Sequence, residues 1–379
     1  MKNLSLYIHI PFCHKKKCNY CDFVSFCDKN ESIDDYVKTI LKEIQMRAKS
    51  LKNEFEIATI FVGGGTPSVL SSSQMGEILG VIKKHFFVRK DAEITVEANP
   101  DSVSEQKLVD YLSFGVNRLS FGGQTINDKV LKIIGRQHTS TQLKEAISLA
   151  KKVGFKNINV DMMIGLPSQT LSDALRMADY LVKNGVSHIS CYSLILEENT
   201  PLWQSVTKKE ISLPEEDLTV KMYDKVYKKL KIYGYIRYEV SNFSLKDYEC
   251  KHNQNYWEMG DYIAFGVAGH SFLGGVRFEN TPNFDEYIKK INSGVFAVVK
   301  EEKLTLLQEK EENVMLSLRT NKGINLNEFN KKFSCDILLE KKKEIEFLSS
   351  HKFIIIENGV LKVSEYAFYL LNSIIAKLV

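Results

Sequence analysis

The chain has 379 residues, 44% apolar and 26% charged, and its 51 basic and 47 acidic side chains leave a net charge of +4. That length can bury one large core and a second, smaller one, and the near-balance of charge lacks the clustered basic surplus of a nucleic-acid binder. No run of about 18 apolar residues is present to span a membrane, and Met1 to Pro11 lacks the features of a secretory signal, so a cytoplasmic protein is expected.

Residues 4–10 read as an apolar strand, 33–47 as a helix, and 57–62 as a β-branched strand running into Gly63. A helix is predicted over 73–85, a strand over 92–98 with Glu97 near its end, a helix over 104–114 and a short strand over 117–121. Helical pieces follow at 129–134 and 141–153, then a strand at 157–164 and an amphipathic helix at 171–184. A strand at 188–194 and a helix at 215–233 complete six β-then-α units. Such alternation implies parallel strands joined by crossover helices. It admits an open doubly wound sheet or an incomplete barrel. Gly63 to Thr66, Glu97, Gln124, Asp161 and Tyr192 all fall at or just after strand C-terminal ends. In a barrel those ends share one rim, where active sites gather. We therefore expect an α/β fold with a partial (β/α)6 barrel over residues 1–235.

Residues 236–300 are less regular and rich in aromatics and glycine, and read as a connecting segment. Over 301–379 helices are predicted at 304–318, 326–333 and 337–348. A hairpin over 353–363 turns at Asn358-Gly359, a pair suited to a two-residue turn, and a last helix covers 364–376. That order is winged-helix-like, and its mixed charge favours packing or protein contact over DNA binding.

Of the seven cysteines, four crowd into residues 13–27. In a reducing compartment such a cluster points to metal rather than disulfides. Cys13, Cys18 and Cys21, on one loop after a strand, can hold three irons of a cubane cluster and leave the fourth open. The alternative is zinc with Cys27 as the fourth ligand, since structural zinc prefers four protein ligands. Lys15, Lys16 and Lys17 would offset the negative charge of a cluster. The glycines of Gly63-Gly64-Gly65-Thr66-Pro67 permit close backbone approach to a ligand, or simply a tight turn. Taken singly, Glu97, Gln124, Arg136 and Asp161 read equally as strand-end caps or surface polar groups. His252, among aromatics, reads alone as a core histidine.

The run Tyr7-Ile-His-Ile-Pro-Phe-Cys13 with Cys18-Asn-Tyr-Cys21-Asp-Phe23 resembles the radical-SAM proteins of the HemN/HemW group, and the likeness continues along almost the whole chain. This chain has four residues between its first two cysteines where the family usually has three. The resemblance implies a [4Fe-4S] cluster on Cys13, Cys18 and Cys21, with S-adenosylmethionine (SAM) completing the open iron. It places SAM against Tyr7, Gly64, Gly65, Thr66, Glu97, Gln124, Arg136 and Asp161, with Arg136 pairing to the carboxylate. His252-Asn-x-x-Tyr256-Trp257 resembles the haem-binding motif of the HemW-type chaperones, which implies haem on His252 with Tyr256 and Trp257 against the macrocycle. His270 is a weaker candidate ligand.

Two readings share this scaffold: a haem chaperone, and an oxygen-independent coproporphyrinogen III dehydrogenase that oxidatively decarboxylates two propionates. The enzyme carries a fourth cysteine two residues after the third, where this chain has Phe23, and a longer segment before the cluster. Both departures favour the chaperone. A radical-SAM enzyme acting on another substrate is a third reading. The chaperone reading implies haem and acceptor haemoproteins of the respiratory chain as partners, with peripheral membrane contact and no nucleic acid, and leaves a homodimer open.

Overall fold

The computed structural model describes residues 1–14, 16–51 and 54–379. Strand β1 (Lys2–Ile10) shows how the core is made: Leu4, Leu6, Ile8 and Ile10 are fully buried on one face, and Ser5, Tyr7 and His9 take the other. Helix α1 (Ile33–Ser50) covers the apolar face with Tyr36, Val37, Ile40 and Ile44. The same unit repeats in β2 (Phe55–Gly64) and α2 (Ser72–His85), then β3 (Phe87–Ala98) and α3 (Glu105–Ser113). Next come β4 (Arg118–Gln124) with α4 (Asp128–Ile133) and α5 (Ser140–Val153), and β5 (Asn157–Ile164) with α6 (Leu171–Lys183). Strand β6 (His188–Ser193) precedes α7 (Pro201–Thr207) and α8 (Glu216–Ile232). Capping boxes start α2, α5 and α6, at Ser71/Gln74, Thr139/Gln142 and Thr170/Asp173, so each crossover helix begins where its own sequence satisfies the first amides.

The segment 236–300 is less of a connection than its irregular pattern predicted. It holds β7 (Ile236–Arg237), β8 (Asn242–Ser244), α9 (Lys251–Trp257), β9 (Tyr262–Phe265), β10 (His270–Leu273), β11 (Val276–Asn280), α10 (Phe284–Asn292) and β12 (Val298–Lys303). All of its strands join one twelve-stranded sheet in the order β12-β11-β10-β9-β1-β2-β3-β4-β5-β6-β8-β7. Strand β9 lies parallel to β1, pairing Ser5 with Tyr262 and Ile8 with Phe265, so a seventh parallel strand flanks the six read from the sequence. The sheet does not close into a full barrel: antiparallel strands extend it beyond β9 and beyond β6.

The C-terminal region keeps a core of its own around Leu318, Phe329, Leu348, Leu361 and Ile374. It comprises α11 (Leu306–Ser317), β13 (Ile324–Asn325), α12 (Leu326–Phe333), α13 (Ile337–Glu340), α14 (Lys342–Ser350), β14 (Ile354–Glu357), β15 (Val360–Val363) and α15 (Leu371–Leu378). The helix predicted over 337–348 is broken at Lys341, and the last helix opens with 3-10 turns over Glu365–Leu370. A third wing strand, β13, pairs with β15. Among the described residues no helix is long and apolar enough to cross a membrane.

Candidate functional site

The cysteine loop hangs between β1 and α1 and is tied down at both ends. The Cys13 amide donates to Phe26 O at 2.9 Å, and the Phe26 amide to Pro11 O at 2.6 Å. Midway, the Asn19 amide donates to Ile134 O at 2.9 Å and its side-chain amide to Ile133 O at 2.8 Å, which fixes the loop to the end of α4. The glycine run at the end of β2 packs directly on this loop. A β-carbon at Gly65 would sit 2.6 Å from Phe12 O, and one at Gly64, whose φ is +118°, would sit 2.7 Å from the His9 ring. The Gly65 and Thr66 amides donate to Ile10 O and Phe12 O, each at 2.8 Å. Here the missing β-carbons let the cysteine loop in.

Cys13, Cys18 and Cys21 all line a cavity of ≈ 400 Å³ over the strand C-terminal ends. Gly64, Gly65, Thr66, Glu97, Gln124, Arg136 and Asp161 line it too, so seven of the eight residues predicted to hold SAM share one wall with the three thiols. Tyr7 is the exception. It faces a neighbouring cavity, although a β-carbon at Gly63 would meet both its ring, at 3.0 Å, and Glu97, at 3.1 Å. Asp22 and Phe23 line both cavities. Cys27 is not on the wall, though Cys13 beside it helps raise its pKa after burial. Among the described residues no three His, Cys, Asp or Glu side chains gather tightly enough for a single metal ion. The thiols of a cubane sit on separate irons and need no such convergence. Lys15, one of the four residues between Cys13 and Cys18, lies outside the described residues.

The electrostatics of the wall are mixed in sign. Burial, and then the charge of Asp161, pushes the Glu97 carboxyl up to about 8, while the Gly64 amide, donating to it at 3.2 Å, works the other way. Burial also raises the Asp161 carboxyl, which accepts from the Asn159 amide at 2.8 Å. Two reluctant acids side by side favour a cationic ligand, because a nearby positive charge restores their ionised form. Arg136 stands across from them. Burial opposes its charge, but neighbouring Tyr20 and Cys18 hold its pKa above the ordinary value. Its guanidinium donates to Gly122 O, to Asn99 Oδ1 at 2.8 Å and toward Cys18 Sγ at 3.5 Å. Burial lifts the Cys21 thiol to about 11, so loading it with metal must displace a proton. Gln124 holds a left-handed φ of 61°, at an irregularity in the β4–β5 register that turns the strand end into the cavity. Three thiols, a pair of acids and one arginine on one wall fit a cluster with an open corner and a ligand bearing ammonium, sulfonium and carboxylate. The sequence reading missed Asn99 and Tyr20. Asn99 was within reach of it, two residues past Glu97 at the same strand end.

The three residues of the haem-like motif do not share one cavity. His252 is buried at 1% exposure under the sheet. Its Nδ1 lies 2.6 Å from Thr59 Oγ1 and its Nε2 2.8 Å from the Tyr256 hydroxyl. Since Thr59 donates onward to Ser5 at 2.8 Å, the consistent arrangement has Nδ1–H donating and Nε2 accepting from Tyr256. Burial, then the charge of Arg118, lowers the His252 pKa to about 3, so the ring is neutral. Its backbone amide and that of Lys251 donate to Glu93, which anchors α9 across the sheet interior. Tyr256 lines the cavity that holds Tyr7, and Trp257 lines a separate groove with Phe329 and Phe333 of the C-terminal region. The expected haem face of His252, Tyr256 and Trp257 is therefore not assembled in this conformation, and neither imidazole nitrogen of His252 is free.

An open parallel sheet with three cysteines over its C-terminal rim defines a radical-SAM scaffold, and residues 7–181 match the family model described as the radical SAM superfamily. The chain is 34% identical over 373 residues to the heme chaperone HemW of Lactococcus lactis, an alignment covering 98% of this chain and 96% of that one. It is 36% identical over 331 residues to that of Bacillus subtilis, covering 87% and 86% of the two chains. With the Escherichia coli protein of the same name it shares 40% over 268 residues, 70% of this chain and 69% of that one. The solved structure of coproporphyrinogen III oxidase, HemN, from Escherichia coli superposes with a TM-score of 0.86 over 100% of this chain and 90% of that one, at 22% identity, a likeness of fold. The chain belongs to the HemW family within the radical SAM superfamily.

Proposed function

We propose that the protein binds a [4Fe-4S] cluster through Cys13, Cys18 and Cys21, binds SAM beside it, takes up haem and passes haem to membrane haemoproteins. One observation carries the cofactor half of this reading: the three thiols and seven predicted SAM contacts line a single cavity of ≈ 400 Å³. The haem half is supported by family membership, since relatives spanning most of the chain are named heme chaperones.

A bound cluster with SAM supplies reductive cleavage of the sulfonium and radical chemistry. The chain's own residues hold the parts. Glu97 and Asp161 favour the cationic end of SAM. Arg136 favours its carboxylate, and also sits against Cys18 Sγ, where it offsets thiolate charge. Asn19 keeps the loop in register with α4. Phe23 stands 63% exposed at the cavity mouth and offers no thiol where the dehydrogenase relatives have one. Ligation of haem by His252 requires a conformation in which its ring gives up the hydrogen bonds to Thr59 and Tyr256. Of the motif, Tyr256 faces the ≈ 600 Å³ cavity beside the cluster site and Trp257 a separate one of ≈ 540 Å³.

The test pairs the two leading readings. Anaerobically reconstituted protein is assayed for haem uptake, for haem transfer to an apo-haemoprotein and for coproporphyrinogen III turnover with SAM and reductant. Stoichiometric uptake and transfer without turnover is the expected outcome. Turnover without haem uptake overturns it in favour of the dehydrogenase.

A further inference from the structure

Arg136 is pinned on several sides at once. Its Nη2 donates to Gly122 O and, at 2.8 Å, to Asn99 Oδ1, and its Nε reaches His138 Nδ1 at 3.4 Å. His138 is buried, and its Nε2 lies 3.2 Å from Gly123 O, which can only accept, so Nδ1 is left as the acceptor for the arginine. These bonds leave Nη1 as the free end of the guanidinium, and it faces Cys18 Sγ at 3.5 Å. The backbone of Asn99, just past β3, is fixed in turn: its amide donates to Ser68 Oγ at 3.1 Å and its carbonyl accepts from the Ser102 hydroxyl at 2.9 Å. Arg136 settles which way the Asn99 side chain points, because an arginine has no acceptor. Oδ1 must face the guanidinium, and Nδ2 then donates to Thr66 Oγ1 at 3.3 Å. Having accepted from Asn99, the Thr66 hydroxyl keeps its own proton for Cys13 Sγ, 4.0 Å away. A continuous chain of side chains, Arg136–Asn99–Thr66, thus runs from one thiol of the proposed cluster site to another and ends on each with a donor.

Resting on the cluster reading, we propose that Asn99 is a positioning residue for the cluster: its amide aims Arg136 at Cys18 and Thr66 at Cys13, and these two donors raise the cluster's reduction potential. Reduction adds negative charge to the cluster, and hydrogen bonds to its sulfurs favour the more negative form. The same amide holds the arginine that faces SAM. One side chain therefore sets both the electron affinity of the cluster and the pose of a cofactor contact.

The experiment is an anaerobic redox titration of full-length, cluster-reconstituted protein without SAM, followed by electron paramagnetic resonance, with iron content measured on the same samples. Asn99→Ala is expected to keep about four irons per chain. Its reduction equilibrium should move about tenfold toward the oxidised form, which is about 59 mV more negative for one electron. Its affinity for SAM, read by equilibrium dialysis, should fall about tenfold as Arg136 loses its anchor. Thr66→Val removes only the hydroxyl and should move the potential the same way by about threefold. Because Asn99 acts partly through that hydroxyl, the double variant should shift about tenfold rather than about thirtyfold. If Asn99→Ala keeps its irons and the wild-type potential, or if the two shifts multiply in the double variant, the assignment is overturned while the cluster reading stands. If Asn99→Ala holds no cluster, Thr66→Val decides alone, and an unchanged potential there overturns the assignment. If wild type takes up no four-iron cluster, the reading itself fails and the assignment with it.

Discussion

Replacing Glu97 with glutamine separates what this side chain does for the fold from what it does for a ligand. In the unfolded chain its carboxyl titrates near 4.5, whereas burial and Asp161 hold it at about 8 in the folded protein. A group with a raised folded pKa contributes stability that is complete below pH 4.5 and is lost as pH rises through 8. At 1.36 kcal/mol per pH unit the full gap corresponds to about 5 kcal/mol. Glu97 faces the cavity and is half-buried, so water there reduces the figure to roughly 1–3 kcal/mol. Glutamine keeps the acceptor for the Gly64 amide and carries no titration. Urea unfolding of the cofactor-free protein, under anaerobic reducing conditions at pH 5 and pH 8, reads the difference. The variant should match wild type within about 0.5 kcal/mol at pH 5 and exceed it by roughly 1–3 kcal/mol at pH 8. SAM binding should move oppositely, weakening about tenfold or more at pH 8, where the carboxylate faces an ammonium. A variant no more stable than wild type at pH 8, or one that binds SAM equally well, would refute the reasoning.

His252→Ala removes two buried hydrogen bonds and leaves a hole beneath the sheet, so chemical denaturation should show a loss of about 2–4 kcal/mol; a loss under 1 kcal/mol would mean that α9 is not anchored there. Gly65→Ala drives a methyl group to 2.6 Å from Phe12 O, a backbone atom that cannot step aside. It should destabilise by about 1–3 kcal/mol and cut the iron retained after desalting, and full retention would show that the loop does not depend on this contact. Asn19→Ala removes the side-chain bond to Ile133 O while keeping the backbone bond to Ile134 O, and should speed cluster loss to a chelator, with unchanged loss rates counting against the tether.

Much of the scaffold was legible in sequence because strands β1 to β6 alternate with helices, and those after β2 to β5 begin at side-chain caps. The site was legible by the same route. Strand ends that share a rim bring Gly64, Glu97, Gln124 and Asp161 together whatever their distance along the chain. Strands β7, β8 and β9, of two to four residues, escaped because no period shows in so short a run. The fate of His252 escaped for a different reason. Its partners Thr59 and Glu93 lie 193 and 159 residues away, and nothing local marks a histidine whose Nδ1 and backbone amide bond so far along the chain. The motif around it reads the same whether the ring is exposed for a ligand or closed into the sheet. The placement of His270 escaped as well: its pairing with Glu279 depends on a hairpin register that a sequence rich in glycine and aromatics does not display.

The most direct measurement of the central claim is iron content with Mössbauer spectra on reconstituted wild type, Cys18→Ala and Cys27→Ala. Three thiols around an open corner predict about four irons per chain in wild type and in Cys27→Ala, a SAM-dependent change at one iron, and loss of the cluster in Cys18→Ala. Loss of metal in Cys27→Ala, or tight binding of a single zinc by wild type, would contradict it.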